Sequence, residues 1–267
     1  MRGSYQDGGL KYNNPVGLAV REAQLLWPAN DHLDAVVTIG TGFSLKSPPP
    51  PSFWKQRLPG FLTRPVSFFM DSLDTEKIWR EYEAGLSNNE KWRYHRLNVG
   101  MDALPELDEV AKIDYLEVYT ANYFKVGTEA HSLLKSTANA LVASLFYCEF
   151  NKVSRVSSSE KSYEVSGTVF CRLEHKYQLN LMKEIFFSKI PYYLSINGQR
   201  IPISVDIAKK IREGGLFEME WSPVILTDEE NVSILLAFPP LERGLAAAID
   251  AAYHISGSPW SLESIRR

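Results

Sequence analysis

The sequence predicts an α/β protein that ends in a small β-rich (α+β) domain. An apolar run with helical spacing follows a Gly-rich turn near the amino terminus, and β-branched residues over 34–39 indicate the next strand. Toward the carboxyl end the apolar residues alternate instead, as they do in half-buried strands. We therefore expect an α/β part over residues 1–135, a helical connector and linker over 136–161, and the β-rich domain over 162–267.

The composition is typical of a globular protein and argues against a nucleic-acid partner. The chain has 267 residues, of which 45% are hydrophobic, and this is enough to fill one large or two small cores. Its formal net charge is −3 and its basic residues are scattered, so the sequence lacks the clustered Lys and Arg residues that are typical of nucleic-acid-binding proteins. Cys148 and Cys171 form no C-x-x-C pair, which favours reduced structural thiols.

The sequence contains no recognisable targeting or membrane-spanning segment. Its amino terminus has no apolar stretch typical of a signal peptide, and no run of about 18 apolar residues occurs. We expect an intracellular, cytoplasmic protein whose contact with a membrane, where it occurs, is peripheral.

The first chemically informative motif is Asp7-Gly8-Gly9. Adjacent glycines let the backbone adopt positive φ and pass close to a neighbouring chain or ligand, which suits an aspartate held against a nucleophile. A Gly-rich turn that merely begins a helix is the alternative interpretation, since turns commonly combine Asp with Gly.

A helix start follows this motif at Asn13-Asn14-Pro15. Asn14 is typical of the N-cap position, and Pro15 is typical of the first helical position, where its missing N–H costs nothing. The apolar residues that follow have helical spacing: Val16, Ala19, Val20, Ala23, Leu26 and Trp27.

Two further segments continue the pattern in order. The strand predicted over residues 34–39 ends in Gly40-Thr41-Gly42. A later segment combines Trp92, Tyr94, Arg96, Leu97, Asn98 and Val99 with Leu104-Pro105 and Leu107-Asp108-Glu109. Together with the Asp-Gly-Gly motif, these segments resemble the carboxyl-terminal portion of the patatin domain of patatin-like phospholipases, over residues 4–135, about half of the chain.

The resemblance implies a fold and a chemistry. The complete patatin domain is a three-layer α/β/α sandwich that hydrolyses phospholipid or acylglycerol esters without a metal or other cofactor, at a lipid or membrane surface. By resemblance, Asp7 is the base of a Ser-Asp dyad that uses no histidine. Gly8 and Gly9 then permit its close approach, and Asn14 with Pro15 fixes the start of the helix.

The nucleophile of this dyad is missing from the sequence. No G-x-S-x-G elbow occurs in the 267 residues, and the nearest candidates, Ser44 and Ser258, lack the flanking glycines of an elbow. The Gly-rich loop that supplies oxyanion donors in the family is missing as well. We therefore expect the chain alone to be inactive, and the position of Asp7 close to Met1 suggests that the serine half lies upstream.

The histidines do not indicate another catalytic centre. They are spread along the chain without metal-ligand spacing, and nothing in the sequence groups them with a serine and an aspartate. We expect surface or helix-capping roles for all of them: His32, His95, His131, His175 and His254.

The other elements of the α/β part and the connector are predicted from periodicity and breaker residues. Prolines over residues 48–65 indicate an extended loop. The pattern over residues 66–85 indicates a helix that ends at Gly85, and amphipathic helices are expected over 111–121 and 128–150.

The β-rich domain is predicted from turn residues and alternation. Asn197-Gly198 indicates a hairpin, and Pro202 places its second strand at a sheet edge. Residues 206–213 are expected to form a short helix, 232–238 a buried strand and 245–253 an Ala-rich helix.

Two alternatives to an enzyme remain open. A non-catalytic protein that keeps the patatin scaffold would need a protein partner to cover an exposed sheet edge, since open edges and apolar faces promote association. A truncated gene product without a selected function is the other alternative.

Overall fold

The structure, a computed structural model, describes residues 13–28, 33–45, 74–105, 109–156, 161–187, 192–238 and 251–266. Asp7, Gly8, Gly9, His32, Leu107-Asp108 and the prolines over 48–65 lie outside these ranges. The chain divides into two compact units, Met1–Lys135 and Ser136–Arg267. Helices and sheets are mixed, so the protein belongs broadly to the predicted α/β class. None of the described helices is long and apolar enough to cross a membrane.

The first unit contains short parallel strand pairs and helices. In chain order its elements are α1 (Val16–Leu26), β1 (Val36–Ile39), β2 (Phe43–Ser44), α2 (Thr75–Ala84), β3 (Tyr94–Leu97), β4 (Gly100–Met101) and α3 (Ile113–Tyr123), and α4 (Glu129–Ala143) crosses into the second unit. Strand β1 pairs in parallel with β3, and β2 pairs in parallel with β4. Short 3-10 helices precede β3 and α3, at Lys91–Arg93 and Val110–Lys112.

The core of this unit lies between the helices and one face of the β1–β3 pair. Val16 and Val20, one helical turn apart on α1, pack with Trp79 of α2. Val36 and Tyr94 join them from the two strands. Strand β1 was expected to be buried, but it is half-buried, and Ile39 at its end is 77% exposed. Successive strand side chains point to opposite faces, so Ile39 lies on the face away from Val36.

The helix predicted over residues 66–85 is confirmed in its described part. Helix α2 ends at Gly85, as expected. Asp74 caps its start by accepting the N–H groups of Glu76 and Lys77, each at 3.0 Å. The helix predicted over residues 111–121 is found at Ile113–Tyr123.

The second unit is built on antiparallel sheets. Its long strands β5 (Phe146–Arg155), β6 (Ser162–Cys171) and β9 (Glu218–Thr227) form a sheet in the order β5-β6-β9. Strands β7 (Tyr193–Ile196), β8 (Gln199–Pro202), β11 (Ile234–Phe238) and β12 (Ala251–His254) form another, in the order β12-β11-β7-β8, and β10 (Asn231–Val232) pairs with β13 (Trp260–Ser261). The helices are α5 (His175–Phe187), α6 (Val205–Arg212) and α7 (Leu262–Ile265).

The core of the second unit is formed by alternating strand residues, as the sequence predicts. Val165 and Val169 of β6 are fully buried, and Met219 and Trp221 of β9 are nearly so. Phe217 meets the ring of Phe146 edge-on, with 5.0 Å between the ring centres. The predicted alternation of residues 165–173 and 217–221 is therefore confirmed except at Thr168, which was expected on the polar face and is buried.

The predicted hairpin at Asn197-Gly198 is also confirmed. Both residues have positive φ, 47° and 85°, as a type I′ turn requires. Pro202 lies on β8, which is the edge of its sheet among the described strands. The short helix and the buried strand expected over 206–213 and 232–238 are found as α6 and β11.

In this part of the chain one helix prediction is wrong, and a second is wrong in the residues that the structure describes. The helix expected over residues 128–150 ends at Ala143, and the region assigned to a helical connector, 136–161, contains β5. β5 pairs along its length with β6, so tertiary pairing overrides the local helical pattern. In the Ala-rich segment 245–253, the described residues form β12, which pairs with β11.

Candidate functional site

The site is built on the helix start that follows the Asp-Gly-Gly motif. Asn14 is buried, and its side-chain oxygen accepts the N–H of Val16 at 3.3 Å. Its amide nitrogen donates to the carbonyl of Thr75, also at 3.3 Å, so the starts of α1 and α2 are joined. The helix begins one residue later than predicted, with Pro15 in the cap position and the carbonyl of Pro15 accepting the N–H of Ala19.

The turn Gly40-Thr41-Gly42 lies at the carboxyl end of β1 and encloses the side chain of Asn98. The oxygen of that side chain accepts the N–H of Gly42 at 2.7 Å and the N–H of Val99 at 3.0 Å. A Cβ atom on Gly40 would lie 2.3 Å from the Asn98 side chain, so glycine is required at this position. The Gly-Thr-Gly sequence is thus explained by close approach of a side chain to the turn.

An ion pair between the buried Arg96 and the partly buried Glu76 lies close to this turn. The guanidinium of Arg96 donates to one oxygen of Glu76 from Nε at 2.9 Å and from Nη2 at 2.8 Å. Arg96 also donates to the hydroxyl oxygens of Thr38 and Thr75, at 2.6 and 3.1 Å. The same Glu76 oxygen accepts the Asn98 amide at 2.6 Å. We refer to Thr38, Thr75, Glu76, Arg96 and Asn98 as the strand-end cluster.

The strand-end cluster joins β1, β3 and the start of α2, and its two threonine hydroxyls accept hydrogen bonds from Arg96. Arg96 is only 9% exposed, and a buried guanidinium needs a carboxylate with good hydrogen-bond geometry. Open α/β sheets bind ligands beyond the carboxyl ends of their parallel strands. The cluster therefore fixes the edge of the sheet at which a ligand site is expected.

The sequence motif includes Arg96 and Asn98, but Glu76 lies outside it. The two strand-end residues are two positions apart, so their side chains lie on one face of the chain. Because a buried arginine requires an acidic partner, Arg96 on such a face predicts that an Asp or Glu from another element pairs with it. Local periodicity does not identify Glu76 as that partner, because Glu76 and Arg96 are 20 residues apart in the sequence.

A cavity of about 300 Å³ opens directly after β4. Its lining comprises Met101, Asp102, Ala103, Pro105, Lys112, Tyr115 and Tyr119. Tyr119 donates its hydroxyl hydrogen to the Gly100 carbonyl at 3.0 Å, which ties α3 to the end of this strand. The cavity thus lies at the carboxyl end of a parallel strand.

The two serines that come nearest to an elbow, Ser44 and Ser258, differ in burial. Ser44 is half-buried in β2. Ser258 is fully buried, and its hydroxyl oxygen accepts the N–H of Ile234 at 2.9 Å and lies 2.9 Å from Nδ1 of His254. This Ser-His contact was not predicted, but complete burial closes the Ser258 hydroxyl to an ester substrate.

Of the four described histidines, two have the predicted capping role, His95 does not, and His254 is half-buried in contact with Ser258. His131 and His175 each contact a carbonyl at a helix end, that of Phe124 at 3.1 Å and that of Ile211 at 2.6 Å, which confirms capping roles for them. His95 is instead buried in β3, and burial lowers the pKa of its imidazole. Within the described ranges, no group of three or more His, Cys, Asp or Glu side chains is arranged to hold a metal ion.

Compared with models of protein families, with curated protein sequences and with solved structures, the chain matches none of them. The resemblance to patatin-like phospholipases rests on the motifs in the sequence. The described part of those motifs includes Asn14, the Gly40–Gly42 turn and Asn98, which take part in the contacts above.

Proposed function

We propose that this chain carries the aspartate half of a patatin-like lipid acyl hydrolase, within a patatin-type α/β/α domain. The observation that carries the proposal is the connection between the helix start and the strand ends. Asn14, which follows Asp7 by seven positions, is hydrogen-bonded to Thr75, and the neighbouring Glu76 is hydrogen-bonded to Asn98 in the Gly-Thr-Gly turn. These contacts join the helix start that follows the Asp-Gly-Gly motif to the carboxyl ends of the parallel strands, and this arrangement is what supports the proposal.

The proposed reaction is ester hydrolysis by a Ser-Asp dyad. The Asp7 carboxylate accepts the proton of a serine hydroxyl while the serine oxygen attacks the carbonyl carbon of a phospholipid or acylglycerol ester. The alcohol leaves with a proton returned from Asp7, and water then releases the fatty acid from the acyl-serine. No residue of the 267 stands in a G-x-S-x-G elbow, so the serine comes from outside this sequence.

The chain alone is therefore expected to be inactive. Loss of a single oxyanion donor already lowers the rate of an acyl-transfer enzyme by about 10²–10³, and here the nucleophile is lacking too. The test is hydrolysis of p-nitrophenyl butyrate and of phosphatidylcholine by the purified chain and by its Asp7→Ala variant. We expect both to match the buffer rate, whereas turnover that Asp7→Ala abolishes would contradict an inactive chain.

The enzymatic half of the proposal has a separate test. The test is whether the gene encodes a Gly-rich loop and a G-x-S-x-G elbow on the amino-terminal side of Met1. A chain extended to include them should be labelled by a fluorophosphonate probe, and labelling should fall with Asp7→Asn. If neither element is encoded there, the proposal that the complete protein is a hydrolase is wrong.

A non-catalytic interaction protein is the second candidate, favoured by the exposure of Ile39. This residue is 77% exposed at the end of β1, and the other edge of β1 has no described partner strand. Such an edge favours pairing with another chain. Sedimentation of the purified chain tests this candidate, because a folded monomer across micromolar concentrations would contradict dependence on a partner.

A further inference from the structure

The cavity after β4 has the size and the position of a small-molecule site. Its volume is about 300 Å³, at the lower end of the range of about 300–1,000 Å³ that is typical of ligand pockets. β4 pairs in parallel with β2, and the cavity opens where β4 ends. This is the edge at which open α/β sheets bind ligands.

Two aromatic rings form one wall of the cavity. Tyr115 and Tyr119 are one turn apart on α3 and therefore share a face of the helix. Their ring centres are 5.8 Å apart, and the rings are inclined by 43°. Tyr119 is held in place by its hydrogen bond to the Gly100 carbonyl, whereas Tyr115 is 57% exposed. Electron-rich ring faces in such a position attract a cation, especially a quaternary ammonium group.

The charged residues of the lining have opposite signs. Asp102 supplies a carboxylate and Lys112 an ammonium group. Both already have contacts within the protein, Lys112 with Glu109 at 2.9 Å. A carboxylate accepts several contacts, and Lys112 has three hydrogens to donate, so each can also contact a ligand. A ligand that carries both charges matches this lining better than a simple cation or anion does.

We propose that this cavity binds a phosphocholine-type zwitterion. The trimethylammonium group lies against the rings of Tyr115 and Tyr119 with Asp102 beside it, and the phosphate contacts Lys112. The ligand is either free phosphocholine or the head group of a phosphatidylcholine. If the ligand is the lipid head group, the proposal identifies phosphatidylcholine as the lipid class of the proposed hydrolase, and it then rests on that proposed function.

Binding is tested on the whole 267-residue chain by isothermal titration calorimetry with phosphocholine. We expect saturable binding that is at least tenfold weaker for phosphoethanolamine and for inorganic phosphate, because neither offers a quaternary ammonium to the rings. Tyr115→Leu should weaken phosphocholine binding at least tenfold, and Asp102→Asn should weaken it less. Tyr177→Leu, at a tyrosine 50% exposed on α5, is the matched control and should bind like the unaltered chain.

Vesicles distinguish the two sources of the ligand. Retention on phosphatidylcholine vesicles but not on phosphatidylethanolamine vesicles, lost with Tyr115→Leu, identifies the lipid head group; binding of soluble phosphocholine alone identifies the free compound. The proposal is overturned if phosphocholine does not bind, or if Tyr115→Leu keeps its circular dichroism spectrum and full affinity. No ester is cleaved in these measurements, so their outcome is separate from the test of hydrolysis.

Discussion

The side chain of Asn98 occupies the space that a Cβ atom on Gly40 would need. Such an atom would lie 2.3 Å from the Asn98 Cγ, far below a normal contact. Asn98 is held there by its bonds to the Gly42 N–H and to Glu76, so it cannot move aside without losing them. The Gly-Thr-Gly turn and the strand-end cluster therefore depend on each other.

Gly40→Ala is expected to destabilise the protein because the new methyl group overlaps Asn98. We expect a loss of about 1–3 kcal/mol in the free energy of unfolding, as for other overpacked sites, measured by urea denaturation. Gly17→Ala on α1 is the control, since its Cβ would lie at an ordinary 3.5 Å from Tyr82. There we expect a gain of about 0.5–1 kcal/mol from helix propensity. Equal effects of the two substitutions would contradict the overlap.

Removing the Glu76 carboxylate should leave Arg96 as an uncompensated buried charge. Glu76→Ala is expected to lower the free energy of unfolding by about 3 kcal/mol, the size typical of a broken buried ion pair. Glu81→Ala, at an exposed residue of the same helix, should change it by less than about 0.5 kcal/mol. In the Arg96→Met background, Glu76→Ala should cost much less, and a double-mutant cycle without coupling would contradict the pairing.

In the second unit, the amide of Gln178 is fully buried and connects three backbone groups. Its oxygen accepts the N–H of Phe217 at 2.7 Å, and its nitrogen donates to the carbonyls of Leu173 and Cys171 at 2.6 and 3.3 Å. Gln178→Leu leaves these three buried backbone groups without a hydrogen-bond partner and without access to water. We therefore expect a loss of about 1–3 kcal/mol in the free energy of unfolding. Gln199→Leu on an exposed strand position should be nearly neutral, and similar losses at both sites would contradict the assigned role.

Elements with strong local signals could be predicted from the sequence. Helix α1 follows from its apolar spacing, and the hairpin follows from Asn197-Gly198, whose positive φ values are required by the turn. The strand before Gly40 is predictable because β-branched residues run up to a glycine. In each case the information lies within a few consecutive residues.

The elements that depend on distant partners could not be predicted. Residues 146–150 were expected to continue the preceding helix, but pairing with β6 makes Phe146–Arg155 a strand. Ala251–His254 is rich in alanine, yet it pairs with β11. Glu76 belongs to the site through contacts with residues 20 and 22 positions away, which no local periodicity reveals. Propensity is a weak guide where tertiary contacts decide.

The Cys148 thiol is expected to react slowly in the folded protein. Burial raises its pKa from 9.0 to about 11. At pH 8 the thiolate fraction, and with it the rate of alkylation by iodoacetamide, should be about 100-fold lower than in the unfolded chain. Mass spectrometry with and without urea checks this. Because the folded pKa is the higher one, the associated stability is present below pH 9 and is lost as the pH rises through 11.

His95 should make the stability of the protein sensitive to mild acid. Burial lowers the pKa of this imidazole below its ordinary 6.5, and its Nε2 atom has no hydrogen-bond partner among the described residues. The unfolded chain therefore binds the proton more readily than the folded one, so the stabilisation is present above pH 6.5 and is lost as the pH falls. We expect the free energy of unfolding, measured in urea, to decrease between about pH 7.5 and 5.5, and to decrease less in His95→Leu. The difference between the two chains is the measured quantity, because contributions from the other histidines cancel in it. An identical decrease in both would mean that protonation of His95 does not oppose folding.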